Sequence, residues 1–256
     1  MSEISYFPFE LQPENVKEKV SSYWTRRAEG FYRQRQDEVS SGKAACWLHE
    51  LEGMLPKKEG LHILDAGCGA GFFEVILGRA GHRVVGIDLT EEMIVKAEEM
   101  LQGSGLDPEK AEVHVMDAEK TSFADRSFDA VITRNLTWTL PHPALAYAEW
   151  FRVLKPGGVL LNFDAEYAKG AHNLKSPLNR AHRDISDELK EECHEIYHML
   201  TVSALKRPEW DVKALYDAGF LDVVCDPGFG ERIFREEDAF YIPDKMFSIR
   251  AVRPEE

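Results

Sequence analysis

Seven consecutive residues, Asp65-Ala66-Gly67-Cys68-Gly69-Ala70-Gly71, join a carboxylate to three alternating glycines directly after the apolar run Leu61-His62-Ile63-Leu64. Glycines at this spacing let the backbone turn sharply and admit a ligand where a Cβ would otherwise stand. The amides that open the following helix favour a carboxylate or a phosphate. Asp88 stands 23 residues after Asp65, at the end of a second apolar run, where a carboxylate accepts both hydroxyl protons of a ribose. Leu89 and Met93 are then placed to flank an adenine, and Asp117, closing a third run, to reach its amine. Together these residues point to an adenosine-containing ligand. A glycine turn that serves only helix–strand packing is the plainer alternative.

The dinucleotide fingerprint G-x-G-x-x-G does not fit. Counted from Gly67, its third glycine falls on Phe72; counted from Gly69, it falls on Glu74. Asp65 would repel a pyrophosphate but would pair with an ammonium group. An adenosine that carries an amino acid is therefore favoured, and an NAD(P)-dependent oxidoreductase is the weaker reading.

Such a site needs a scaffold that holds three strand ends side by side. Residues 13 to 55 read as helical, with Val16, Val20, Tyr23, Trp24, Arg27 and Phe31 at helical spacing, and Pro56 and Gly60 close the region. Strands are expected over 61–66, 83–88, 113–116, 128–133, 159–164, 222–225 and 245–252. Helices are expected over 72–80, 91–101 with Thr90 as N-cap, 144–154 and 209–218. This alternation predicts βαβ units and an α/β, doubly wound Rossmann-like sheet, mostly parallel and covered on both faces. Residues 165–208 are polar and break the rhythm, as an insertion after the fifth strand would. The expected organisation is a helical extension over 1–60 and one domain over 61–256 that carries this insertion.

Five segments also resemble a known family in order and spacing: Leu-Asp-Ala-Gly-Cys-Gly-Ala-Gly (64–71), Gly-Ile-Asp-Leu (86–89), Met-Asp-Ala (116–118), Ser-Phe-Asp-Ala-Val (127–131) and Val-Leu-Lys-Pro-Gly-Gly (153–158). They resemble the class I S-adenosylmethionine-dependent methyltransferases, most of all the UbiE-like small-molecule type. The resemblance implies a seven-stranded sheet whose last strand is antiparallel. It implies S-adenosyl-L-methionine as cofactor, S-adenosyl-L-homocysteine as product, and in-line methyl transfer to a small molecule. Asp65, Gly67, Cys68, Gly69 and Gly71 would hold the methionine part, Asp88 the ribose, and Asp117 with Ala118 the adenine; Arg134 and Asn135 would lie under the sulfonium. By the same resemblance Tyr23 and Arg27 cap the cofactor, although Tyr23 and Trp24 fit a helix core, and Arg27 a surface, equally well. A protein that binds this cofactor without transferring methyl is the alternative. No Asn-Pro-Pro-Tyr motif is present, so methylation of nucleobase amines is not expected.

The insertion follows a strand edge that faces the ligand, which suits a lid and substrate element. Trp138, Asp164 and Tyr167 are the substrate candidates nearest that edge, with a core role as the alternative for Trp138. His142 is the first candidate for a general base, or else an ordinary loop residue between Pro141 and Pro143. His194-Glu195-Ile196-Tyr197-His198 matches H-E-x-x-H, which on a helix turns two histidines to one side. A zinc site would need a third ligand, from His172 or His182, and no metal is expected. The net charge of −14 argues against a nucleic-acid partner. No apolar run approaches ~18 residues, no basic-then-apolar leader opens the sequence, and four scattered cysteines form no CxxC pair. These features suggest a reduced cytoplasmic protein without membrane attachment.

Overall fold

The computed structural model describes residues 13–167, 171–182 and 185–255. Helices α1 (Pro13–Val39) and α2 (Gly42–Met54) come first. The sequence pattern ran them together; Ser41 divides them by accepting the Lys43 amide on its hydroxyl at 3.1 Å. Then follow β1 (His62–Ala66), α3 (Phe72–Arg79), β2 (Arg83–Asp88), α4 (Glu91–Ser104), β3 (Ala111–Val115), β4 (Phe128–Arg134), α5 (Pro143–Val153) and β5 (Leu154–Asp164). The chain ends through α6 (Asp187–Met199), α7 (Glu209–Asp217), β6 (Leu221–Asp226), α8 (Phe229–Ile233) and β7 (Phe247–Val252). Thr90 does precede α4, but its hydroxyl makes no capping bond. Asp88 Oδ1 instead accepts the Thr90 amide at 2.8 Å.

The seven strands lie in the order β3-β2-β1-β4-β5-β7-β6. The first five are parallel, and β7 is antiparallel to both β5 and β6. The chain starts at β1 and winds outward in both directions, so the crevice between β1 and β4 is the switch point where such sheets bind ligands. Alternation along the central strands feeds two cores. Ala130, Ile132, Val159, Leu161 and Phe163 pack with Trp47 of α2 and Phe73 of α3, whereas Val131 and Leu160 pack with Trp150 of α5 and Phe220. Burial on both faces explains the near-continuous apolar runs.

A third cluster joins α1 to α6 across the ligand edge of the sheet, through Val16, Tyr23, Trp138, Ile196 and Tyr197. Among the described residues, no helix is long and apolar enough to cross a membrane.

Candidate functional site

The glycine turn sits between β1 and α3 and is laced to β2. The Gly67 and Cys68 amides both donate to the Ile87 carbonyl, at 2.8 and 2.9 Å. Gly67, Gly69 and Gly71 all have positive φ, of 75°, 53° and 84°. A Cβ on Gly67 would also stand 2.8 Å from the Leu136 side chain, so the residue type is dictated twice over. The Gly69 amide donates to Asp88 Oδ2 at 3.1 Å, which ties the turn to the acid spaced 23 residues from Asp65 in the sequence.

Asp65 is buried beneath this turn, and its Oδ1 has no hydrogen-bond partner. Burial pushes its carboxyl up to about 7, and the nearby Asp88 charge adds to the shift. Glu74 of α3 lies beside it, fully buried, and is raised well above the carboxylate range by burial and by Asp65. Sequence reasoning missed Glu74. The one hint was Gly86, where a Cβ would stand 2.3 Å from Glu74 Oε1.

Further along the edge, Asp117 Oδ2 meets Lys17 Nζ of α1 at 2.6 Å, and Lys17 also meets Glu119 at 2.6 Å. Ala118 and Met93 line the same cavity as buried residues, while Leu89 stands at its exposed rim. The roof is α1. Tyr23 is buried, and Arg27 is buried with it rather than at the surface. Arg27 donates to the Tyr23 hydroxyl at 2.7 Å, and its other nitrogen lies 3.4 Å from His182 Nδ1.

The floor near β4 is held by a network that the sequence did not reveal. Arg134 makes a two-pronged pair with the fully buried Glu38, at 3.0 and 3.2 Å, and stacks on Trp47 with 4.3 Å to the ring centroid. Arg35 and the Trp47 indole also bind Glu38. The Arg134 and Arg35 guanidiniums hold the Glu38 carboxyl below its usual range despite its burial. Asn135 has a φ of 58°, and its Oδ1 accepts the Tyr167 hydroxyl at 2.7 Å. The cavity thus gathers every expected cofactor residue except Gly71, which precedes α3, and it also gathers Trp138 and Tyr167.

Two expectations need correction. Asp164 does not line the cavity. It is fully buried and accepts hydrogen bonds from the Thr137 hydroxyl, the Trp138 amide at 2.9 Å, the Ala165 amide at 2.8 Å and Arg207 at 3.2 Å. A carboxylate with all these partners anchors the ends of β4 and β5. His142 lies outside the cavity too, half-exposed before α5 in a shallow depression with Lys17 and Glu119. Its Nδ1 lies 3.6 Å from Glu119 Oε2.

The H-E-x-x-H histidines do meet, with Nε2 atoms 3.0 Å apart, while Glu195 pairs with Lys19 at 2.8 Å. Among the described residues, no three metal-ligating side chains converge. His182 turns to Arg27 instead, and the side chain of His172 lies outside the described residues.

This sheet order, with an acid-tethered glycine turn after its first strand, is the fold of a class I S-adenosylmethionine-dependent methyltransferase. Residues 64–162 match the family described as methyltransferase domain. Among curated relatives, a 24-methylenesterol C-methyltransferase of Oryza sativa is 34% identical over 48% of this chain and 35% of its own length. An S-adenosyl-L-methionine-dependent Diels-Alderase, iliD, of Neonectria is 29% identical over 68% of this chain and 64% of its own. The chain thus spans less than two thirds of these relatives. Among solved structures, the Haemonchus contortus phosphoethanolamine N-methyltransferase 2, in complex with S-adenosylhomocysteine, shares the fold with a TM-score of 0.59 and 23% identity, over 81% of this chain and 52% of that one.

Proposed function

We propose that this protein binds S-adenosyl-L-methionine along the ends of β1, β2 and β3 and transfers its methyl group to a small molecule. The observation that carries the reading is the bond between the Gly69 amide and Asp88, with the unpartnered Asp65 Oδ1 below it. That oxygen is the buried acceptor an amino-acid ammonium requires. The cofactor, when bound, supplies a methyl group on a sulfonium whose leaving group is a neutral thioether.

The chain's own residues bind, orient and exclude water. Asp65 with Gly67, Cys68 and Gly69 holds the methionine part, Asp88 the ribose, and Ala118 with Asp117 the adenine edge, flanked by Leu89 and Met93. Arg134 and Asn135 form the floor, and Tyr23 and Arg27 close the roof. Residues 1–60 act as the cap and 165–208 as the lid of the domain over 61–256. Both serve to hold acceptor and methyl at near-attack distance, ~3–3.5 Å, with water excluded. The net charge of −14 supports a small-molecule acceptor over nucleic acid, and four free cysteines support a reduced, cytoplasmic setting.

The similarity to iliD favours a second reading, cofactor use without methyl transfer. Calorimetric titration with S-adenosylhomocysteine tests the first step, with Asp88→Ala and competing NADH as controls. Binding lost in the variant and indifferent to NADH is expected; binding of NADH in its place would return the oxidoreductase. Mass analysis of turnover then separates the two readings, because a methylated product forms only under the first.

A further inference from the structure

The sheet order divides the cavity. Asp65, Asp88 and Asp117 belong to the ends of β1, β2 and β3, and the opposite side is walled by Arg134 of β4 and by segments that follow β4 and β5 and precede β7, with Trp138, Tyr167 and Asp244 among them. Because β7 runs antiparallel, its beginning lies at the ligand edge, with Phe247 opposite Asp164. Asp244, three residues before β7, therefore lines the cavity.

Asp244 is half-buried, and its Oδ1 accepts the Asn173 side-chain amide at 3.0 Å. Among the described residues, no lysine or arginine pairs with it. The phenols of Tyr167 and Tyr197 lie close enough to feel its charge. Trp138 sits between those two rings, with centroids 5.5 and 4.8 Å away. The cavity's cations are engaged elsewhere: Arg35 and Arg134 on Glu38, Lys17 on Asp117 and Glu119, and Arg27 at the roof with Tyr23. Burial raises the Asp244 carboxyl to about 6, so it is ionised at pH 7.5.

A partly desolvated carboxylate that no described lysine or arginine pairs with, beside electron-rich rings, is a site for a positive ligand. We propose that Asp244, Trp138, Tyr167 and Tyr197 form the acceptor subsite and hold an ammonium group, so that the acceptor is a small molecule bearing a protonated or quaternary amine. This inference rests on the cofactor reading of the other half of the cavity. It also answers an electrostatic need, because a cationic acceptor beside a sulfonium requires a fixed negative charge close by.

The test titrates tetramethylammonium chloride into protein saturated with S-adenosylhomocysteine, with tert-butanol as the neutral ligand of similar size. Saturable binding of the cation alone is expected. Asp244→Asn should weaken it at least tenfold while leaving the S-adenosylhomocysteine affinity within twofold, which also shows that the variant is folded. Tyr197→Leu should weaken it as well. Equal binding of the cation to Asp244→Asn and parent, equal binding of tert-butanol, or no binding of the cation to the saturated parent would each overturn the inference. Failure of the parent to bind S-adenosylhomocysteine at all would overturn the cofactor reading, and this inference with it.

Discussion

The proton shared out beneath the glycine turn makes cofactor binding depend on pH. Asp65 in the free protein is raised to about 7 by burial and by the Asp88 charge. A ligand ammonium against it favours the ionised form, so binding must expel the proton that Asp65 carries. At pH 6 the protonated form outnumbers the ionised one about tenfold, and at pH 7.5 it is the minority. The dissociation constant for S-adenosylhomocysteine should therefore be about eightfold larger at pH 6 than at pH 7.5, or ~1.3 kcal/mol. Calorimetry in buffers of different ionisation enthalpy should read about 0.9 proton released per ligand at pH 6 and about 0.2 at pH 7.5. Asp65→Asn should bind more weakly at pH 7.5 and lose this slope. A dissociation constant flat within twofold over the range, or the same slope in Asp65→Asn, would refute the assignment of Asp65 to the ammonium.

Asp65 also sets a stability trend in the ligand-free protein. Its folded pKa lies above the ordinary value of 3.8, so stability present at low pH is lost as the pH rises towards 7, and denaturant titration should show Asp65→Asn gaining on the parent between pH 5 and pH 8. Arg134→Met removes one of the two cations that pair with the buried Glu38 carboxylate; urea unfolding should show a loss of about 3–5 kcal/mol. Gly67→Val meets both a φ of 75° and the Leu136 side chain; a stability loss of at least ~1–3 kcal/mol and loss of S-adenosylhomocysteine binding are expected by melting and calorimetry. His142→Ala, outside the cavity and half-exposed, should change stability by no more than ~0.5 kcal/mol and leave turnover intact; a large fall in turnover would restore it as a base.

Much of this molecule is written locally. Apolar runs ending in acids, glycines at alternate positions and helical spacing are short-range patterns, because strand and helix periods and the left-handed backbone are set within a few residues. They sufficed for the seven strands, for the sides of the sheet that carry helices, and for the neighbourhood of Asp65, Asp88 and Asp117, whose places at strand ends follow from βα geometry. Proximity in sequence to a strand end did not decide which way a side chain faces. Asp164 ends β5 but turns into the protein toward Arg207, and His142 follows the β4 loop but ends up outside the cavity. Glu38 and Lys17 were invisible, and so was the place of His182 beside Arg27, because their partners come from distant segments: Arg134 for Glu38, Asp117 for Lys17 and Arg27 for His182. Asp244 was hidden by strand direction, since only pairing of β7 against β5 puts the start of that strand where the other strands end. The sequence by itself determined the elements and the chemical character of one half of the cavity; tertiary packing alone decided the other half, because burial and charge pairing between remote segments exist only once the sheet has closed.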